Sequence, residues 1–206
     1  MKAMKHTCRL ASTILLLAAL IACSTPKQEG LDQLDSAEVV ASEIPDDVIE
    51  VHRAAVSALQ NSAPQTAIEL LREPVLEYPQ YAALGLNLGI AYFSNEQQEE
   101  AQGAFEVVLQ NHPGNAVAHN YLGLIQRRSG FFGEARESYQ RAISGDETYS
   151  LAHLNLGILC DVYLQDLDCA LKHYNAYEAL QGEISKEIKG WIIDLQRRMK
   201  NRSNNS

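Results

Sequence analysis

The pentapeptide LNLGI stands at Leu86–Ile90 and again at Leu154–Ile158, the two copies starting 68 residues apart. Midway, 34 residues from each, lies Asn120-Tyr121-Leu122-Gly123-Leu124. Three Leu-Gly pairs, Leu88-Gly89, Leu122-Gly123 and Leu156-Gly157, therefore keep one period of 34. Other positions keep step. Twelve residues after Gly89 comes Ala101, and twelve after Gly123 comes Ala135. Four residues after each alanine comes a large ring, Phe105 and Tyr139. Pro113 closes one unit and Pro79 the unit before it. One period ahead of Gly89 stands Ala55, followed at the later offsets by Ala67 and Leu71.

A unit of this length is too short to bury an apolar face alone, so successive copies must stack on one another. Glycine inside a helix costs about 1 kcal/mol relative to alanine. Three glycines in register imply a close contact whose geometry outweighs that cost. The expected contact sets Gly or Ala of a first helix against Ala of the second, with large residues filling the space between hairpins.

These residues resemble the tetratricopeptide repeat. The resemblance implies an all-α, helix–turn–helix solenoid winding as a right-handed superhelix. It places four repeats over 48–184, with units at 48–81, 82–115, 116–149 and 150–184. Expected helices run 46–61 and 64–76, 82–95 and 98–110, 116–129 and 132–144, 150–164 and 167–181. Two units depart from the pattern. In the first, Ala54-Ala55 replaces Leu-Gly, and Pro74 falls late in the second helix, where a kink or early end is expected. In the fourth, Ala170 comes one residue late relative to Gly157, which predicts an extra residue in the turn near Leu164–Asp168. A ninth helix, about 184–199 and counted as a capping segment over 185–200, carries Ile184, Ile188, Trp191, Ile192 and Leu195 at helical spacing, with a charged opposite face. It suits the capping of an open solenoid end. Residues 201–206 read as a disordered polar tail.

The N-terminus has a different character. Lys2, Lys5 and Arg9 precede a short apolar run that ends in Leu20-Ile21-Ala22-Cys23. A basic start, a short apolar core and a small residue before the cut describe a secretory signal over 1–22. The run is far short of the roughly 20 residues that span a bilayer. It resembles a bacterial lipobox, which implies lipidation of Cys23. By the same resemblance, Ser24 implies the outer membrane. Each acyl CH₂ contributes about 0.8 kcal/mol to membrane binding, and stable anchoring takes more than one chain. Residues 23–47 are rich in Asp and Glu with the single base Lys27, and are expected to form a flexible acidic tether.

Loss of the signal takes the net charge from −9 to −12, because Lys2, Lys5 and Arg9 leave with it. That acidity argues against nucleic acid as a partner, since phosphate binding needs clustered Lys and Arg. Of four cysteines, Cys8 leaves with the signal and Cys23 takes the lipid. Cys160 and Cys169 remain on either side of the irregular turn. In an oxidising compartment they are expected to pair; otherwise they are two small buried apolar residues.

No HExxH, P-loop, G-x-S-x-G or Gly-rich phosphate turn occurs, so no catalytic residue, metal site or cofactor is expected beyond the lipid on Cys23. His119 and His153 stand one period apart and are expected as packed rings.

The resemblance instead implies a concave groove lined by the first helices, which takes a protein or peptide segment. Its expected lining is Ala83, Leu86, Ile90 and Phe93; then Val117, Asn120, Leu124 and Arg127; then Leu151, Leu154, Ile158 and Asp161. Some members clamp a C-terminal carboxylate with Lys, Arg and Asn. Asn87 matches one such position, but His52, Val117 and Tyr121 stand where bases are required, so that clamp is disfavoured. An apolar groove edged by Asn120, Arg127 and Arg128 suits an amphipathic helix or an extended apolar segment.

The expectation is therefore an outer-membrane-anchored, periplasm-facing scaffold lipoprotein. It resembles repeat lipoproteins that serve envelope machines, such as type IV pilus pilotins or partners of TonB-type complexes. Alternatives are an adaptor or regulator of peptidoglycan enzymes, and a self-associating structural protein.

Overall fold

Helix pairs follow one another from Asp46 to Asn204. The computed structural model describes residues 44–204. The expected signal peptide, Cys23 and nearly all of the acidic tether lie outside them. The elements are α1 (Asp46–Gln60), α2 (Pro64–Glu77), α3 (Ala82–Ser94), α4 (Gln98–Asn111), α5 (Ala116–Arg128), α6 (Phe132–Gly145), α7 (Ser150–Ile158), α8 (Leu167–Gln181) and α9 (Lys186–Asn204). No strand occurs among the described residues. Each first helix packs on its own second helix, and each second helix on the next first helix. The first helices also touch in succession, α1 on α3, α3 on α5 and α5 on α7.

The glycine period has a specific partner. A methyl group added at Gly89 would lie 2.6–2.9 Å from ring carbons of Phe105. At Gly123 it would lie 2.5–2.9 Å from Tyr139, and at Gly157 from 2.6 Å outward against Tyr174. At each small residue the nearest atoms belong to the aromatic ring one helical turn after the alanine. The alanines Ala55, Ala67, Ala101, Ala135 and Ala170 are fully buried in the same layers, as are Phe105 and Tyr139. In the first repeat the ring position holds Leu71, also fully buried, and the small position holds Ala55. A narrower side chain there leaves room for a methyl.

The turn between the helices of each pair repeats a backbone feature. Ser62, Glu96, Gly130 and Gln165 all take left-handed φ values, 57°, 62°, 83° and 53°. The first three keep the period of 34, and the fourth is one residue late. A left-handed residue reverses the chain tightly at a helix end.

The extra residue of the fourth repeat is not in that turn. After Ile158 the chain continues as a π-helix, Leu159–Tyr163. The Leu164 amide donates to the Leu159 carbonyl at 3.1 Å, an i→i+5 rung. A wider turn takes up one more residue than an α turn, so the insertion is absorbed within the first helix. Beyond it, the Asp166 side chain accepts from the Cys169 amide at 3.1 Å and caps α8.

Two further expectations are corrected. α2 does not end early at Pro74 but continues to Glu77, and the Tyr78 amide donates to the Pro74 carbonyl at 2.8 Å. Proline removes its own donor, not its acceptor. α9 extends to Asn204, so residues 201–204 of the expected tail are helical. Arg202 in the last turn complements the helix dipole, and the Ser203 hydroxyl donates to the Lys200 carbonyl at 2.8 Å. At the other end Asp46 and Asp47, where the expected tether (23–47) and first helix (46–61) overlap, form the first turn of α1, where negative charge is favoured.

α9 buries Ile188, Ile192 and Leu195, together with Ile184 just before it, against the last repeat. Arg198 donates to Asp161 of the π-helix at 2.7 Å. Trp191 is half exposed, its ring 6.2 Å from that of Tyr174.

Candidate protein-binding groove

The expected lining residues fall on the first helices α3, α5 and α7 and, for Asp161, on the π-helix. Leu86, Ile90, Phe93, Val117, Leu124, Arg127, Leu154 and Ile158 are all half-buried. Ala83 and Leu151 are exposed. This is a stripe of partly covered apolar surface, of the kind that gains from further burial at about 25 cal/mol per Å². At its N-terminal end Ile44, Val48, Ile49, His52, Tyr81, Ala83 and Leu84 surround a small, mainly apolar hollow of about 40 Å³.

Two expected lining residues are already engaged. Asn120 is buried, and its side-chain carbonyl accepts from Asn155 Nδ2 at 2.9 Å. Asp161 is held by Arg198, with its side chain only 12% exposed. Asn87, which the clamp comparison singled out, lies 2.7 Å from His52 Nε2. The Asn120–Asn155 and His52–Asn87 links each join one first helix to the next at a spacing of 35 residues. They tie successive repeats together through side chains of the first helices. The residue spacing that produces them is one more than the repeat, which is why the period alone does not reveal them.

Aromatic rings line the neighbouring wall. Tyr121 stacks on Phe105 with centroids 5.0 Å apart and meets Phe93 edge-on at 5.3 Å. Arg128 lies over the Phe93 ring at 4.2 Å. Arg127 lies 6.0 Å over Tyr163, whose ring is 4.8 Å from Phe132. Tyr163 comes into this group because the π-helix turns it there; nothing in its sequence position announces it.

Burial sets the tyrosine acidities. It raises Tyr121, pushes Tyr139 up to about 12 against the opposing charge of Arg127, and pushes Tyr149 up to about 12. Tyr174 is raised by burial and then by the charge of Asp161 and its bond to that carboxylate. All four act as neutral hydroxyls at physiological pH.

His119 is buried and His153 half-buried, as packed rings were expected to be. His119 bonds the Pro113 carbonyl through Nε2 at 2.9 Å. His153 pairs instead with His173 of α8, their Nδ1 atoms 3.0 Å apart. Burial lowers His153, and burial with the nearby His153 and Lys172 charges lowers His173 to about 4. One ring of the pair must donate and the other accept, which a neutral pair does.

Cys160 and Cys169 are joined by a disulfide, with Cα atoms 5.8 Å apart, linking the π-helix to α8. Asp166 lies within 4.8 Å of both sulfurs. Bonded sulfurs are not thiolates, and Asp166 is occupied as a cap and in an ion pair with Arg136 at 3.1 Å. This cluster therefore serves structure.

Comparison with known proteins places this geometry. The tetratricopeptide-repeat family model matches residues 52–116 and 86–150. A peroxisomal targeting signal receptor of Candida albicans is 29% identical over 79 residues, which is 38% of this chain and 13% of that protein. Among solved structures, TTC0263, a thermophilic tetratricopeptide protein of Thermus thermophilus, superposes with a TM-score of 0.63 at 19% identity. The match covers 75% of this chain and 84% of that one. The pilF protein of Pseudomonas aeruginosa superposes with a TM-score of 0.67 at 17% identity, over 75% and 69% of the two chains. The first repeat domain of Spaghetti (RPAP3), bound to the HSP90 peptide SRMEEVD, superposes at 0.54 and 21% identity, over 59% and 94%. At these identities the structures speak to fold. Residues 52–150 of this chain are tetratricopeptide repeats, and its helices form a solenoid of that family's fold.

Proposed function

We propose that this chain is a lipid-anchored envelope scaffold whose repeat groove binds a segment of a partner protein and which performs no chemistry of its own. The observation that carries the reading is the half-buried apolar stripe Leu86, Ile90, Phe93, Leu124, Leu154 and Ile158. It runs through three successive first helices of an established interaction fold. The RPAP3 domain, of the same fold, is solved with a peptide bound. The lipobox-like Leu20–Cys23 stretch supports a covalent lipid on Cys23, the outer membrane and the periplasmic face. Partners of an envelope machine, a pilus secretin or a TonB-type complex, fit that location. An amphipathic or extended apolar segment fits the stripe better than a clamped chain end, because Asn87 is engaged by His52 rather than flanked by bases.

Two experiments test the two halves. Palmitate labelling and membrane fractionation of the wild type and Cys23→Ser test the anchor; equal labelling of both would remove it. Crosslinking capture from envelopes, comparing wild type with Leu154→Glu and the more exposed Leu151→Glu, tests the groove. The same partner recovered at equal yield from all three would remove the groove.

A second reading, self-association, draws on the exposed Leu180, Trp191 and Ile193 near the last helix. Light scattering of the secreted part separates a monomer from an oligomer.

A further inference from the structure

Charge is unevenly divided along this chain. Residues 44–185 hold 19 acids and 7 bases, whereas α9 holds 6 bases and 2 acids. The repeats therefore carry −12 and the closing helix +4. Lys186, Lys189, Ile193, Arg197 and Lys200 follow one another at steps of three or four, so they form one stripe along α9. All five are exposed, Ile193 at 67%. Arg197 pairs with Asp194, while Lys186, Lys189 and Lys200 enter no ion pair with a described residue. One acid, Glu178 of α8, borders the stripe at Lys189 and Ile193.

The opposite character lies on the second helices of the first two repeats. α2 carries Glu69, Glu73 and Glu77 against Arg72, and α4 carries Glu99, Glu100 and Glu106 with no base. All six glutamates are exposed. Between these helices opens a mainly apolar hollow of about 340 Å³, with Leu76, Tyr92, Glu100 and Val107 in its lining. Leu76 is 82% exposed and Val107 39%. An exposed apolar patch rimmed by charge marks an interaction surface.

The two faces are complementary: bases around one protruding isoleucine, and acids around an apolar hollow. α9 packs on α8 at the far end of the stack from α2 and α4, so one chain does not bring its own two faces together. A second copy does. We infer that the α9 stripe of one copy docks on the α2–α4 face of another. Ile193 enters the hollow beside Leu76 and Val107, and the lysines lie against the glutamates. The faces differ, so the contact runs head to tail. It sets one helix face against two and its charges are exposed, which makes it weak and salt-sensitive. The inference rests on the self-association reading and names its surfaces. It uses second helices and leaves the groove of the first helices uncovered.

The test is photo-crosslinking of the full chain in isolated envelopes. Benzoylphenylalanine replaces the exposed Ile193 in one copy, co-expressed with a second copy that carries a different tag. Irradiation is expected to join the two copies, with the adduct mapping to Val75–Val107 of the second. Lys189→Glu with Lys200→Glu in the first copy should cut the adduct about ten-fold, as should Glu100→Lys with Glu106→Lys in the second. The two reversals combined should restore it, a result that misfolding of either variant does not produce. Raising salt from about 0.05 to about 0.5 M should weaken the wild-type adduct. Copy-to-copy adducts that map elsewhere, or that ignore the reversals, overturn the inference and leave self-association standing. No adduct between copies, or adducts only to lipid, to another protein or within one chain, also overturns it. If the secreted part is then monomeric by light scattering, the self-association reading falls as well.

Discussion

The third and fourth repeats solve one packing problem with different chain lengths. In the third, twelve residues separate Gly123 from Ala135, and Tyr139 lies against the glycine. In the fourth, thirteen residues separate Gly157 from Ala170, yet Tyr174 lies against its glycine in the same way. The added residue is taken up by the π-helix Leu159–Tyr163 rather than by moving the ring. The lesson is that the glycine–ring contact is the invariant of the stack, and the backbone between its halves adapts. The adaptation brings its own fastenings: the Cys160–Cys169 disulfide, the Asp161–Arg198 ion pair and the His153–His173 pair. The third repeat has a simpler fastening, the Ser138 hydroxyl donating to Gln126 Oε1 between α6 and α5 at 2.7 Å.

The largest effect should fall on what the two repeats share. Gly123→Ala or Gly157→Ala drives a methyl to within 2.5–2.6 Å of a buried ring. Overpacking of this kind costs about 1–3 kcal/mol, and these sites should lie at the upper end in urea unfolding. Gly103→Ala is the control, because an added methyl there meets nothing within 4 Å. It should stabilise by about 0.5–1 kcal/mol through helix propensity.

Next comes a fastening only the fourth repeat has. Cys160→Ser with Cys169→Ser opens a link between residues nine apart in sequence. Loop-closure entropy sets the loss at about 2–3 kcal/mol. Hydrogen exchange should rise in Leu159–Leu171 while amides of the third repeat keep their protection; equal loss in both would contradict the comparison.

A pH effect also separates them. His173 titrates near 4 in the folded chain, that is, at about 4 against a usual 6.5 when unfolded. Above that higher value neither form of the group is protonated, and its full contribution to stability is present. As pH falls from about 6.5 to about 4 the unfolded chain takes up the proton first, so stability declines, by on the order of 2 kcal/mol. Glu147 and Lys172 face the pair: the Glu147 backbone opposes the fall at His153, and Lys172 reinforces it at both rings. His173→Phe should flatten the pH dependence of the melting temperature over that window. An unchanged slope would show that the pair does not control it.

The smallest effect concerns the turns. Gly130 holds the left-handed position in the third repeat, and Gln165 holds it in the fourth. Relieving that strain, Gln165→Gly should gain up to about 1 kcal/mol, and Gly130→Ala should lose about as much. Equal and opposite changes in thermal melts would confirm that both turns use the same conformation.

Much of this fold is legible in the sequence because the period of 34 puts the small residue, the alanine and the ring at fixed offsets. The helix pairs and the closing helix follow from that spacing and from the apolar face of Ile188, Ile192 and Leu195. What Gly123 touches is not legible. The atoms nearest a side chain placed there are those of Tyr139, one turn beyond Ala135, and only the crossing of the two helices decides that. The extra residue before Ala170 is visible as a count, but a count does not say whether a turn or a helix absorbs it. Pro74 suggests a stop, whereas the loss of one donor leaves the helix otherwise paired. In the groove, the apolar positions of the first helices can be projected by period. The Asn120–Asn155 and His52–Asn87 links cannot, since a spacing of 35 appears only when helices are set side by side. Tyr163 joins Arg127 through the π-helix alone.

The first repeat supplies the direct test, for it carries Ala55 and Leu71 where its successors carry glycine and a ring. A double-mutant cycle on Gly123→Ala and Tyr139→Leu, read by urea unfolding, asks whether the small residue exists for the ring. The account predicts that the alanine is strongly destabilising beside Tyr139 and nearly harmless beside leucine, a favourable coupling of about 1 kcal/mol or more. Additive losses would contradict it, because the glycine would then be there for some other contact.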